Sequence, residues 1–331
     1  MKIGAKIAII LAFFAGSAQA KDYCCQQLRL DDIGLARVSA CSDISAENQS
    51  GAGNVCSRIY PSGYFTRSTF DSGKCATRCD PPDPNKVPLE QVPMQDALYG
   101  FEDGSLYRID PYFGRFGFMS REWKPLQGAS FVNGALYVIQ NEFLHRVDPA
   151  TGSYAVIGSK YYSGSLPIWL AAMGNRLFGM YGNSIREINT NDNSNRIVGT
   201  IRGWPRTQGF TASDKFLYIV QNNYLHEVNP ETGSYRVLGG QDWSGGTIIK
   251  FYNGSLYVLQ NATFHRVNPA TGEWSVLGQI GDWANAVSMT PVGDHMYIMQ
   301  NSTLHRVSLS TGAWSIVGQQ GTWYETYIVS P

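Results

Sequence analysis

Three sets of residues in this chain combine side-chain type and spacing in ways that suit chemistry. His145, His226, His265 and His305 recur at intervals of 81, 39 and 40 residues, and imidazole is a common metal ligand. Glu122, Asp242 and Asp282 each precede a tryptophan, and paired carboxylates can support glycosidic cleavage. The pairs Gln140-Asn141, Gln221-Asn222, Gln260-Asn261 and Gln300-Asn301 recur in company with Trp204, Trp243, Trp283 and Trp323. A carboxamide beside an indole supplies hydrogen bonds and a ring to stack on, which is the equipment of a shallow sugar site.

These residues sit on a repeated unit. Residues 241–280 hold four short runs rich in β-branched and aromatic residues, TIIKF, SLYVLQ, FHRV and EWSVLG, separated by Asn, Gly and Pro, which is strand-and-turn chemistry. The second run recurs with its aromatic at Tyr99, Tyr137, Phe178, Tyr218, Tyr257 and Tyr297, so the period is 38 to 41 residues. Four strands per unit at a period near forty predict a propeller, and six units predict six four-stranded antiparallel blades. The stretch starts at a second strand, Ala97 to Gly100, and ends on a surplus first-strand run, residues 324–329. Pairing of these two would close the ring and remove an exposed edge. In Asp148-Pro149-Ala150-Thr151-Gly152 the proline and glycine suit a type I turn with a G1 bulge, and Asn189 to Asn193 lacks both.

The architecture weighs on the chemistry. Four histidines on equivalent strands of different blades are separated by rotation about the axis, which favours packing between blades over one metal site. The acids Glu122, Asp242 and Asp282 read as solvated loop residues. Asn189, Asn191 and Asn193 alternate as calcium-loop oxygens do, but the glycine and terminal carboxylate of such a loop are missing. For the Gln-Asn pairs and the tryptophans two readings compete: ligand contacts on one propeller face, or amides that cap their own turns beside indoles wedged between blades. Neither a GxSxG elbow, an HExxH helix nor a phosphate loop is present; a cofactor is therefore not expected, and catalysis is not favoured.

Ahead of the propeller, residues 1–20 read as a signal peptide: Lys2 and Lys6, the apolar run IAIILAFFAG, then Ala18-Gln19-Ala20. The run is too short to span a bilayer comfortably, so a secreted or periplasmic product without a membrane span is expected. Loss of Lys2 and Lys6 from a chain with 26 basic and 26 acidic residues leaves a net charge of −2, which argues against a nucleic-acid partner. Cys24, Cys25, Cys41, Cys56, Cys75 and Cys79 all fall in residues 21–92, a polar segment ending in the Pro-rich linker Asp80 to Pro84. In an exported chain this count predicts up to three disulfides with fifteen possible connectivities. The propeller itself would span residues 93–331.

The units carrying LYxxQN, LHRVNPxTG and GxW resemble those of secreted bacterial propellers compared with the tachylectin and tectonin lectins, over about residues 93–331. The resemblance implies a propeller that binds carbohydrate. Together these readings predict an exported, non-catalytic binding protein whose ligand is a glycan or a protein, taken through one propeller face. The alternative is a glycan-active hydrolase or lyase at the mouth of the channel.

Overall fold

The second strand of each unit is apolar along its length and needs cover on both faces. Ala135–Gln140 and Ser255–Gln260 are indeed buried at every residue. The computed structural model describes residues 10–12, 21–30, 36–46, 85–160, 162, 169–323 and 326–331. They fall into two compact units, Met1–Lys86 and Val87–Pro331.

The first unit contains an antiparallel sheet of β1 (Ile10–Ala12), β2 (Lys21–Leu30) and β3 (Ala36–Ala46). Cys24 and Cys25 lie on β2 and Cys41 on β3. Cys56, Cys75 and Cys79 lie outside the described residues, as does most of the expected signal peptide.

The second unit is a six-bladed β-propeller, each blade a four-stranded antiparallel sheet. Blade I joins β27 (Tyr327–Val329) to β4 (Leu98–Glu102), β5 (Ser105–Ile109) and β6 (Phe116–Arg121). Blade II is β7 (Leu126–Val132), β8 (Ala135–Gln140), β9 (Phe143–Val147) and β10 (Tyr154–Ile157). Blade III is β11 (Trp169–Met173), β12 (Arg176–Tyr181), β13 (Ser184–Ile188) and β14 (Asn195–Val198). Blade IV is β15 (Thr207–Ala212), β16 (Leu217–Gln221), β17 (Tyr224–Val228) and β18 (Tyr235–Val237). Blade V is β19 (Gly246–Tyr252), β20 (Ser255–Gln260), β21 (Thr263–Val267) and β22 (Trp274–Val276). Blade VI is β23 (Ala286–Val292), β24 (His295–Gln300), β25 (Thr303–Ser308) and β26 (Trp314–Val317).

The ring closes as the surplus strand requires. In β27, Tyr327, Ile328 and Val329 pair with Phe101, Gly100 and Tyr99 of β4. The strand is also tied sideways to blade VI: Ser288 Oγ donates to Thr326 O at 2.9 Å and accepts from Ile328 N at 3.1 Å. Residues 324 and 325 of the expected strand lie outside the described residues.

Apolar side chains gather in six clusters, one at each junction between neighbouring blades. Stability therefore resides in interfaces around the ring, and the repeat exists to build them. Glycines make one part of each interface close. Gly312, in the turn before β26, has φ 75°, and a Cβ there would meet Gly278 Cα of blade V at 2.6 Å. Gly272 meets Gly239 in the same way at 2.7 Å. Blade III has Asn193 at this place, with φ 62°. Asn is among the few residues that tolerate the left-handed region. Its side chain joins the interface, accepting from Tyr162 OH at 2.8 Å and donating to Ser159 O at 3.0 Å.

Candidate functional site

Each loop linking one blade to the next carries an aromatic wedge: Trp123, Tyr162, Trp204, Trp243, Trp283 and Trp323, none more than 4% exposed. Burying one indole removes about 200 Å² from water, on the order of 5 kcal/mol. The wedge loop is held from both sides. Its backbone N–H donates to the turn between second and third strands of the preceding blade, as in Trp243 N to Asn223 O at 2.7 Å and Trp283 N to Ala262 O at 2.9 Å. Ahead of blades II, IV, V and VI its carbonyls are bound by the glutamine of the following blade. Gln260 Nε2 donates to Asp242 O and Ser244 O, both at 2.8 Å. Gln300 Nε2 donates to Asp282 O at 2.7 Å and Ala284 O at 2.8 Å. Gln221 reaches Pro205 O at 2.9 Å, and Gln140 bonds Glu122 O.

The four glutamines are buried by these bonds, so the carboxamides and the wedge indoles are spent on the ring. Of the two readings that the sequence allows, the geometry assigns Gln140, Gln221, Gln260, Gln300, Trp204, Trp243, Trp283 and Trp323 to structure. A ligand would have to open a loop to reach them. Asn141, Asn222, Asn261 and Asn301 are exposed, and each takes φ between 46° and 50° at the first position of its turn. The next residue is also left-handed, at 59° to 72°, the pattern of a type I′ hairpin that asparagine favours.

The histidines complete the wedge. His145, His226, His265 and His305 are buried edge-to-face against Trp123, Trp204, Trp243 and Trp283, with ring centroids 5.3 to 5.5 Å apart. Burial pushes all four imidazoles below their ordinary pKa and keeps them neutral near pH 7. They lie in four different interfaces. Among the described residues, no group of three or more His, Cys, Asp or Glu is placed to hold a metal ion. Asn189 Oδ1 accepts from Asn191 N at 3.0 Å, a local Asx turn.

On the outer side of each histidine lies an aromatic residue that the repeat pattern alone does not single out. Tyr154, Tyr235, Trp274 and Trp314 open the fourth strands of blades II, IV, V and VI and stay 43–63% exposed. Each packs one side on its histidine at 5.3 to 5.6 Å. The signal is present in GSY, GSY, GEW and GAW after each turn. The three acids lie in separate loops and do not form a catalytic pair, and two of them touch these rings: Tyr154 OH donates to Glu122 Oε2 at 3.1 Å, and Trp314 Nε1 to Asp282 Oδ2 at 3.2 Å.

Comparison with known proteins bears on the fold. A chain in a crystal structure of a nidogen/laminin complex is similar, with a TM-score of 0.60 and 15% identity, over 71% of this chain and 97% of that one. At that identity the shared property is the architecture. No protein-family model matches the chain, and no curated protein matches it. Among the described residues, no helix is long and apolar enough to cross a membrane.

Proposed function

We propose that this chain is an exported, non-catalytic binding protein whose propeller presents repeated shallow sites to a ligand carrying several copies of one epitope. The observation that carries this reading is the set of four half-exposed rings, Tyr154, Tyr235, Trp274 and Trp314, at one position on four blades. Rigid aromatics with one face open are typical anchors of binding surfaces. The motif resemblance to tachylectin and tectonin repeats supports a glycan as the ligand. The similar propeller of the nidogen/laminin complex, an assembly of two proteins, supports a protein. The leader at residues 1–20 and the six cysteines support export and a cross-linked N-terminal segment; mass spectrometry of the exported chain should then find no free thiol.

Binding is tested by offering the mature chain to arrayed glycans at high and low surface density, with the supernatant checked for cleavage. Retention that rises steeply with density, without product, is the expected result. A hydrolytic product would overturn the non-catalytic reading in favour of a hydrolase or lyase.

A further inference from the structure

We propose that three of the exposed rings, each in the groove of a wedge tryptophan that a carboxylate precedes, are equivalent sites for a neutral hexopyranosyl residue. The sites are Tyr154 with Glu122 between blades I and II, Trp274 with Asp242 between IV and V, and Trp314 with Asp282 between V and VI. The proposal rests on the binding function above and names its ligand class and location.

The groove between blades V and VI shows the design. Trp314 packs one side against His305 at 5.3 Å and Trp283 at 6.0 Å, so the indole is fixed before any ligand arrives. Its Nε1 donates to Asp282 Oδ2, which also accepts from Gln279 N at 3.4 Å. Among the described residues no donor reaches the second oxygen, Oδ1, which is left to accept from outside. Glu122 repeats this: Oε2 takes the Tyr154 hydroxyl, and no donor among the described residues reaches Oε1. Asp242 uses Oδ1 for Ser244 N at 2.8 Å, and among the described residues Oδ2 takes no donor. Trp274 holds the same place on His265, at 5.3 Å.

A pyranose matches both parts of such a site. Its C–H face lies on an aromatic ring, and its hydroxyls donate to a carboxylate, which only accepts. A carboxylate also repels anionic sugars, so a neutral saccharide is selected. The ring is already ordered, which lowers the cost of binding, but each site is shallow, and affinity has to come from engaging several together.

The other three grooves lack the acid, and two of them lack the open ring as well. Between blades III and IV, Tyr235 is present but Gly203 stands where the acid would be. The fourth strand of blade III begins at Asn195. Between VI and I, the equivalent Phe116 is buried and Thr322 precedes Trp323. The acid and the open ring therefore occur together in three grooves of six.

The test compares the full chain with the triple variant Tyr154→Ala, Trp274→Ala, Trp314→Ala and with Asp282→Asn, on densely immobilised neutral oligosaccharides of gluco, galacto and manno configuration. Urea denaturation confirms that the variants fold. The expected result is that the triple variant loses about 100-fold or more in apparent affinity. Asp282→Asn should weaken binding measurably, and Lys215→Ala, in the exposed turn between β15 and β16, should not. If the wild-type chain binds a saccharide and the folded triple variant binds it equally, the site is wrong and the binding function survives. If the wild type retains no neutral saccharide but captures a protein, the saccharide is wrong. If it binds neither, the function falls with it.

Discussion

Blade V and blade I arrive at the same four-stranded sheet by different means. Blade V is one continuous stretch of chain: Gln260 staples the wedge loop, His265 backs the wedge, and Gly272 meets the neighbouring Gly239. Blade I draws its innermost strand from the C-terminus, with Glu102 in the glutamine position and Tyr107 in the histidine position. Its outer strand is covered from the same chain. Val87 N donates to Phe116 O at 2.9 Å, and a Cβ on Gly117 would meet Leu89 Cα at 2.6 Å. Phe116 is buried there, whereas Trp274 of blade V stays open. Residue identities change freely, then, provided that the junction between blades is filled. An outer strand that nothing covers is where the molecule has surface to offer.

The most damaging way to break this comparison is to remove what blade I borrows. Deleting residues 324–331 takes away β27, exposes the edge of β4 and strips Ser288 of both partners. The midpoint of thermal unfolding should fall by at least ~10 °C, and an unchanged midpoint would show that closure does not hold the ring.

A second test separates glycines that share a conformation but not a setting. Gly312→Ala combines positive φ with contact against Gly278 backbone and should cost about 3–5 kcal/mol in urea unfolding. Gly254→Ala has φ 72° with open space around it and should cost only about 1–2 kcal/mol. Equal costs would mean that backbone approach at the junction is unimportant.

The histidines sharpen the contrast through pH. Burial lowers their folded pKa below the ordinary 6.5, so unfolding takes up protons in acid. Their contribution is complete above about pH 6.5 and is lost as pH falls below it. Blades I and III, with Tyr107 and Arg186 in that position, do not share it. Urea midpoints at pH 7.5 and 5.0 should therefore differ, and His265→Phe should reduce the difference.

Much of the architecture is legible in the chain because strand length, turn residues and a forty-residue period are local properties. The same residues that announce the period also predict closure by the C-terminal strand. What the period cannot reveal is which way a repeated side chain points. A glutamine repeated for a ligand and one repeated to bind a loop carbonyl leave the same trace, and Gln260 proves to bind Asp242 and Ser244. Trp274 and Trp314 are hidden for the same reason: an aromatic in a short strand reads as core, yet the fourth strand of a blade has no outer neighbour. Asn193 looks like loss of the glycine turn, because its two interblade hydrogen bonds join residues more than thirty positions apart.

The central claim, that the repeated amides build the ring and do not bind ligand, is tested most directly by urea denaturation of Gln260→Ala. Loss of Nε2 leaves the Asp242 and Ser244 carbonyls without their donor, and the variant should be less stable by about 1–3 kcal/mol. A change within about 0.5 kcal/mol, the cost of altering an ordinary surface amide, would contradict the account and return Gln260 to the ligand-binding face.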